Sequence, residues 1–511
     1  MRIAIVGSGI SGLICAHLLG KEYDVTLFES DSRPGGHVNT VKTKGQTGTF
    51  NVDTGFIVFN RENYPNFVRL IDKLNVSSQE TRMGFSVRSE NSGIEYSGES
   101  LVGLFGHWRN LTSPKHWGMV MDILKFHKLA ENLPDPDETV DHFVQHSQLG
   151  RRFRDDFLLP LGSALWSCSV DRFGKFPMEF VTDFLSNHQM LQANNRPIWR
   201  VIQGGSRTYV DVIVKQLGER LKLSSHIQQV RRIENGVELK FPDGTVQTFD
   251  EVILACHADQ SLRLLNDPDA EEEGLLEAFP YEQNKVVLHS DDSVLPRRQS
   301  ARASWNAYLP KSKNENALVS YDMNILQSLP TKEPFCVSLN HGDQIAGHKE
   351  HARFQYSHPT YHPGRRNAQA KHPQRQTRAR MRMRRDGERE VEKSHGRCVF
   401  RGTPQETVHS VHCSSRSREE HPRDLWRVIF NRIALAAPVR ASLTALEERQ
   451  LGCSSLLRKH ISKTVVNQRR RQGQPRVVRH LAREPVLSGQ RQCQLRGFMK
   501  LQSEFQYTAA G

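Results

Sequence analysis

The chain has few of the features that mark secreted, metal-binding or membrane-spanning proteins. Its eight cysteines are scattered singly and form no C-x-x-C pair, so the sequence predicts neither a disulfide framework nor a zinc site. The histidines also lack the spacing of metal ligands, so no metal is expected. No run of about 18 apolar residues occurs, which argues against a membrane span. Since three glycines interrupt the apolar N-terminal run, we expect no signal peptide and a cytoplasmic protein, with peripheral membrane association left open.

Acidic residues are scarce in the last part of the chain. The whole sequence of 511 residues has a formal net charge of +14. Residues 371–511 contain 25 arginines and 5 lysines but only 10 glutamates and 2 aspartates, whereas residues 1–370 contain 40 basic and 44 acidic residues. Because the basic excess belongs wholly to the C-terminal part, it predicts no specific nucleic-acid binding by the body of the protein.

The first 29 residues have the order of a dinucleotide-binding unit. An apolar run at 2–6 leads into G-x-G-x-x-G at Gly7, Gly9 and Gly12, followed by a helix-like stretch, a second apolar run and Glu29. Gly7 permits the tight turn, Gly9 lets the backbone approach a pyrophosphate, and Gly12 lets the helix pack against the strand. The helix N-terminus offers N–H groups to the anion, and Glu29 is placed to bind a ribose. We predict an α/β, Rossmann-like domain; the alternative is a glycine-rich loop in another α/β protein.

The segment after Glu29 indicates which dinucleotide is bound. It reads E-S-D-S-R-P-G-G-H, residues 29–37. This resembles the flavin-containing amine oxidoreductase superfamily, in which E-x-x-x-R-x-G-G follows the first βαβ unit. The resemblance implies FAD as the cofactor and places Arg33, Gly35 and Gly36 at its pyrophosphate, which suits a guanidinium fork and close backbone approach. For Arg33 alone, a solvated surface arginine is the alternative.

Further motifs extend the resemblance over roughly residues 1–370. D-T-G-F-x-V-F-N at 53–60, P-x-G-x-A-x-W-S at 160–167, G-G-S-R-x-Y-V at 204–210 and A-C-H-A-D at 255–259 are similar to a branch of predicted oxidoreductases related to amine oxidases and phytoene desaturases. The resemblance implies that later strands return to the FAD domain. The candidate cofactor contacts are Gly7, Ser8, Gly9, Ser11, Gly12, Glu29, Arg33, Gly35, Gly36, His37, Thr54, Gly55, Phe56, Val230 and Ala255.

Five segments are predicted. They are a first part of the FAD-binding domain (1–98), a helical substrate part (99–203), the return to the FAD domain (204–265), a substrate domain (266–370) and a basic tail (371–511). Spacing of apolar residues predicts a helix over 67–75, paired strands within 83–98 and further strands within 226–255. The fold class is thus a Rossmann-like FAD-binding domain with an interleaved α+β substrate domain and a disordered basic C-terminal tail.

The resemblance also implies a reaction class. Hydride would pass from a substrate C–H or C–N carbon to flavin N5, and the substrate would be a small molecule, an apolar amine or a fatty-acyl compound. Some relatives use a strand lysine beside the flavin, and Lys285 is the only candidate here; a solvated strand lysine is the alternative. Several other side chains are candidates for an apolar substrate pocket, each with a packed core residue as the alternative: Trp166, His188, Trp199, His289 and Trp305.

The last flavin motif of the superfamily has no counterpart in the sequence. It should follow Tyr361 by a few tens of residues, as a strand, a glycine-rich acidic turn and a helix N-terminus. An arginine-rich stretch stands there instead, so we interpret residues after about Lys371 as the product of a shifted reading frame or a mispredicted exon. The alternatives are a genuine basic tail that binds anionic lipid or nucleic acid, a non-catalytic remnant of a flavoprotein, or an NAD-dependent Rossmann enzyme.

Overall fold

The computed structural model describes most of residues 1–371 and two later strands. Within 1–371, residues 106, 131–132, 134–137, 192–196, 312–317, 362–364, 366 and 370 lie outside the described part; beyond it, Arg397–Arg401 and Ser410–Ser414 are described as backbone. All described residues belong to one unit, Met1–Arg418 with Ser503–Gly511.

The described part of the chain contains 21 strands. They are β1 (Arg2–Val6), β2 (Asp24–Phe28), β3 (Thr40–Lys44), β4 (Thr49–Asp53), β5 (Val58–Asn60), β6 (Ser78–Glu80), β7 (Phe85–Ser89), β8 (Ile94–Ser97), β9 (Trp199–Ile202), β10 (Leu221–Lys222), β11 (Gln229–Ile233), β12 (Gly236–Lys240), β13 (Val246–Phe249), β14 (Glu251–Leu254), β15 (Tyr281–His289), β16 (Trp305–Leu309), β17 (Val319–Asp322), β18 (Cys336–Leu339), β19 (Glu350–Pro359), β20 (Arg397–Arg401) and β21 (Ser410–Ser414).

Most helices lie between β8 and β9. The helices are α1 (Ile10–Leu19), α2 (Pro65–Lys73), α3 (Leu101–Phe105), α4 (Trp108–Leu111), α5 (Pro114–Leu129), α6 (Val140–His146), α7 (Arg151–Phe153), α8 (Leu159–Trp166), α9 (Val170–Phe173), α10 (Met178–Asn187), α11 (Arg207–Leu217), α12 (Ala258–Leu264), α13 (Ala270–Glu277) and α14 (Met323–Leu326). A π-helical turn, Arg154–Leu158, joins α7 to α8.

A six-stranded sheet carries the N-terminal unit. Its order is β10-β2-β1-β14-β21-β20, with β10, β2, β1 and β14 parallel to one another. The four residues Ile3–Val6 are buried because both faces of this sheet are covered, as continuous apolar strands require. The antiparallel sheet β11-β12-β13 packs on one face through a core that includes Val230, Leu239 and Phe249. The prediction of a Rossmann-like domain is confirmed.

A second, seven-stranded sheet forms the other half. Its order is β19-β15-β18-β17-β16-β7-β8, antiparallel except for the β16–β7 pair. Helices α5 to α10 pack against it around Trp166, which stacks on Phe173 with ring centroids 5.4 Å apart. The chain thus passes from the first sheet to the second, returns through α11, β10 and β14, and leaves again with β15, which is the predicted interleaving.

Two pairs of strands lie elsewhere than the predicted segments place them. Strands β7 and β8, in the predicted first FAD segment (1–98), belong to the seven-stranded sheet, because β7 pairs with β16. Strands β20 and β21, in the predicted tail, pair with each other, and β21 pairs antiparallel with β14. No strand was predicted there; the rest of residues 372–511 lies outside the described part.

Candidate active site and cofactor cleft

The glycine loop between β1 and α1 is shaped by close backbone contacts. Gly7 has φ +101°, and a Cβ there would stand 2.8 Å from the carbonyl oxygen of Ala255 at the end of β14. A Cβ on Gly12 would overlap the carbonyl oxygen of Gly7. Both glycines therefore have the structural tasks that their spacing predicts.

Gly9 differs from these two glycines. Apart from Gly9 itself and its two chain neighbours, no described residue has an atom within 4 Å of the position its Cβ would take. Gly9 is the N-cap of α1, and no described side chain caps this helix end. The loop can therefore present backbone N–H groups and open space to an anion such as a pyrophosphate.

Glu29 lies at the end of β2 and is bonded to the loop. Its Oε2 accepts hydrogen bonds from the Ser8 amide at 2.8 Å and the Ser8 hydroxyl at 2.5 Å. Its Oε1 accepts from the Asp31 amide at 2.9 Å. Ser8 itself is fully buried and also contacts Gly35, whose amide donates to Ser8 Oγ at 3.2 Å. Ser8 therefore orients the acid, while Glu29 faces the cleft.

Arg33 organises the turn that carries the two following glycines. Its guanidinium donates to the carbonyl oxygens of Gly36 at 2.9 Å and Val38 at 3.2 Å. Gly35 and Gly36 have φ of +114° and +58°, and a Cβ on Gly36 would lie 3.1 Å from Gly9 Cα. The turn is thus packed directly onto the glycine loop.

These segments line one cleft of about 660 Å³ at the carboxyl ends of the parallel strands. Ten of the candidate contacts line it: Gly7, Gly9, Ser11, Glu29, Arg33, Gly35, Gly36, His37, Phe56 and Ala255.

Three other candidates act as supports. Gly12 lies beneath the loop. The hydroxyl of Thr54 donates to the carbonyl oxygen of Asn39 at 3.0 Å, and a Cβ on Gly55 would overlap the carbonyl oxygen of His37. Thr54 and Gly55 thus hold the segment after Gly36 in place.

Val230 does not line the cleft. Its side chain is buried in the core, and its carbonyl oxygen accepts from the Asn266 amide at 3.0 Å. Ile227, three residues earlier, lines the cleft instead, because the chain crosses the cleft before β11 begins. Of these two residues, only Ile227 therefore borders the cleft.

Aromatic side chains from distant segments line part of the cleft, namely His37, His257, Tyr281 and Tyr356. His37 lies 5.5 Å from His358 and 5.1 Å from Tyr356, ring centroid to centroid. His257 stacks on Tyr281 at 4.3 Å. The wall joins the turn after Gly36, the end of β14 and two strands of the seven-stranded sheet.

The histidines of this wall are held neutral. Burial lowers the pKa of His358 to about 4. Burial, and then the neighbouring His358, His257 and Arg33, hold the pKa of His37 well below its usual value. Asn284 Nδ2 donates to His358 Nδ1 at 2.9 Å, which fixes the neutral tautomer with its proton on Nε2. His37 Nε2 is buried without a hydrogen-bond partner among the described residues.

The buried carboxylate of Asp53 connects the end of β4 with the start of α11 and with Gln327, which follows α14. Asp53, at the end of β4, is fully buried and accepts from the Ser206 amide at 2.9 Å and 3.0 Å. Thr40 Oγ1 and Gln327 Nε2 also donate to it. Burial raises the pKa of Asp53 to about 6, against these hydrogen bonds. Asp53 thereby fixes the start of α11, and with it the G-G-S-R motif.

Lys285 does not lie in the cleft. It is exposed on β15, whereas the preceding Asn284 is fully buried, because side chains alternate along a strand. The structure thus favours the alternative interpretation, in which Lys285 is a solvated strand lysine.

The five candidates for an apolar pocket do not line this cleft. His188 stacks on Phe184 at 4.2 Å, and His289 Nε2 lies 2.7 Å from Ser338 Oγ in the interior of the sheet. Trp166 and Trp305 are likewise buried, and Trp199 is partly buried on β9. Their environments are those of packed core residues.

Comparison with known proteins identifies the family. The model of flavin-containing amine oxidoreductases matches residues 10–339. The chain belongs to this family. It is therefore an FAD-dependent oxidoreductase, as the first forty residues predict.

Solved structures show the same fold. A putative protoporphyrinogen oxidase from Exiguobacterium sp. 255-15 is 14% identical over 72% of this chain and 90% of its own, with a TM-score of 0.52. A reduced UDP-galactopyranose mutase is 16% identical over 73% and 87%, with a TM-score of 0.51. Cyclohexylamine oxidase from Brevibacterium oxydans IH-35A is 13% identical over 70% and 84%, with a TM-score of 0.50. At these identities the likeness concerns the fold alone.

The cleft fits FAD on structural grounds. The uncapped N-terminus of α1 and the open space at Gly9 suit a pyrophosphate, and the carboxylate of Glu29 lines the same cleft. In the part of the chain that the structure describes, no cluster of three potential metal ligands occurs, and none of the helices is long and apolar enough to span a membrane. The place of the missing C-terminal flavin motif lies largely outside the described residues.

Proposed function

We propose that the chain oxidises a small apolar substrate, an amine or a fatty-acyl compound, against the aromatic wall of this cleft. When bound, FAD would supply the chemistry by accepting a hydride from a substrate C–H or C–N carbon at N5. The proposal rests on one observation: the same cleft is lined by a glycine loop suited to an anion and by a wall of neutral aromatic side chains.

Some residues of the cleft would bind FAD, and others give the cleft its shape. The amides near Gly9 and Ser11 would hold the pyrophosphate, and Glu29 would accept hydrogen bonds from the ribose. Arg33 keeps the glycine turn in place and adds positive charge beside the anion. The backbone near Ile227 and Ala255 would border the adenine and the flavin sides respectively.

The aromatic wall would receive the substrate. Tyr281, Tyr356 and His257 provide flat faces on which an apolar group can stack, and uncharged histidines permit this without a buried charge. The wall also excludes water from the reacting carbon.

The test compares two glycines that both lack neighbours at their Cβ positions. Gly9→Val should abolish flavin binding, because the β-branched side chain would fill the space for the pyrophosphate. Gly274→Val, on α13, is the matched control and should keep flavin and activity. Both variants should fold, as judged by circular dichroism. Equal flavin content in Gly9→Val and wild type would contradict the proposed cleft.

A further inference from the structure

Exposed apolar side chains are concentrated on the helices that follow β8. Of the ten large apolar side chains that the structure exposes among its described residues, six lie between residues 101 and 124. They are Leu101 (76% exposed), Val102 (69%), Leu111 (55%), Trp117 (44%), Met121 (61%) and Leu124 (51%). We call this set the helical patch. Soluble proteins usually scatter such residues singly, so the concentration needs an explanation.

Contacts of Trp117 link the α3, α4 and α5 parts of the helical patch. Trp117, Met121 and Leu124 follow each other at intervals of four and three residues, on the outward face of α5. Trp117 stacks on Phe105 of α3 at 4.5 Å, and its indole nitrogen donates to the carbonyl oxygen of Leu111 at 2.8 Å. The opposite face of α5 packs into the core through Met119 and Phe126. The position of α5 is therefore fixed by core packing, and its apolar outer face is exposed in the folded protein.

The rim of the helical patch is basic. Residues 101–129 contain Arg109, Lys115, Lys125 and Lys128 but a single acid, Asp122. Asp122 accepts a hydrogen bond from the Gly150 amide at 2.9 Å and is thus directed toward the protein. A basic rim repels a second copy of the same surface and also a basic tail. It attracts a surface that combines negative charge with an apolar interior.

We propose that the helical patch docks on an anionic phospholipid bilayer. The apolar side chains would enter the boundary between headgroups and acyl chains, and Arg109, Lys115 and Lys128 would contact the phosphates, whereas Lys125 Nζ donates to the Ser147 carbonyl oxygen at 2.8 Å. Docking of this kind needs no membrane-spanning helix. It would bring the protein to a membrane surface where apolar molecules are dissolved.

Vesicle co-sedimentation of the full chain tests the proposal. Wild type should bind vesicles of phosphatidylcholine with phosphatidylserine and bind phosphatidylcholine vesicles much less. Met121→Ser with Leu124→Ser should lower the partition coefficient about tenfold or more, since two inserted aliphatic side chains are lost. Ile198→Ser with Val246→Ser removes equally exposed side chains (61% and 52%) outside the patch and should bind as wild type.

The basic tail does not confuse the comparison, because all three proteins carry it. Equal binding by the patch variant and wild type would assign vesicle binding to the tail and overturn the proposal. Absence of wild-type binding, or a wild-type dimer in sedimentation that the patch variant loses, would overturn it too. Flavin content should be unchanged in the patch variant, so the result is independent of the proposed reaction.

Discussion

The buried carboxyl of Asp53, which connects β4 with α11 and Gln327, permits a quantitative test through the pH dependence of the free energy of unfolding. Burial raises the pKa of this carboxyl from 3.8 to about 6 in the folded protein. Because the folded state binds the proton more tightly than the unfolded chain, this group stabilises the fold fully below about pH 4, and that contribution is lost as the pH rises through about 6. The difference in pKa corresponds to ~3 kcal/mol at order-of-magnitude accuracy.

The geometry shows that a neutral group is accommodated at this position. The Ser206 hydroxyl can donate to the carbonyl oxygen of Phe56 at 2.8 Å, which leaves its oxygen, 3.1 Å from Asp53 Oδ2, free to accept a proton. Gln327 Nε2, which donates to Oδ2, has the carbonyl oxygen of Asn51 as a second acceptor at 3.3 Å. An asparagine amide can therefore replace the protonated carboxyl.

We predict that Asp53→Asn removes the pH-dependent loss of stability. The free energy of unfolding of the variant, minus that of wild type, should increase by ~3 kcal/mol between about pH 4 and pH 7. Urea unfolding followed by tryptophan fluorescence measures it at each pH. Asp53→Ala should instead be destabilised throughout, by roughly 2–6 kcal/mol, since the Ser206 amide and Thr40 hydroxyl lose their acceptor. A difference between Asp53→Asn and wild type that does not change with pH would refute the reasoning.

Three further substitutions test single contacts. Gly12→Ala should prevent folding of the first βαβ unit, because its Cβ would overlap the Gly7 carbonyl oxygen; soluble, flavin-containing protein would contradict this. Glu29→Ala should weaken FAD binding by about 1.5–3 kcal/mol, roughly ten- to a hundredfold in Kd by flavin titration, and an unchanged Kd would count against the ribose contact. Lys285→Ala should leave turnover unchanged with any accepted substrate, because the residue is exposed outside the cleft; a large fall in kcat would restore it as a candidate.

The sequence predicted the parts of the site that are local in the chain. The turn at Gly7, the close approach at Gly12 and the acid at Glu29 follow from spacing within a single βαβ unit. The helix expected over 67–75 is α2, Pro65–Lys73, displaced toward the proline that starts it. Such features need no knowledge of distant contacts, so pattern and chemistry sufficed.

The aromatic wall could not be predicted, because its members meet only through tertiary structure. His257 lies in the motif A-C-H-A-D that the sequence singled out and His358 lies on β19, but nothing local shows that both reach His37. Lys285 was named as a candidate by resemblance, yet the alternation of β15 turns Asn284 inward and Lys285 outward. Ile227, and not Val230, lines the cleft, which depends on how β11 packs in the core and not on a local pattern.

The flavin content of the purified full chain tests the central claim most directly. We predict a yellow protein with a flavin absorption spectrum, one FAD released per chain on denaturation, and bleaching of the spectrum when an oxidisable substrate is added without an acceptor. A colourless protein that neither retains nor takes up added FAD, although correctly folded by circular dichroism, would contradict the assignment of this cleft.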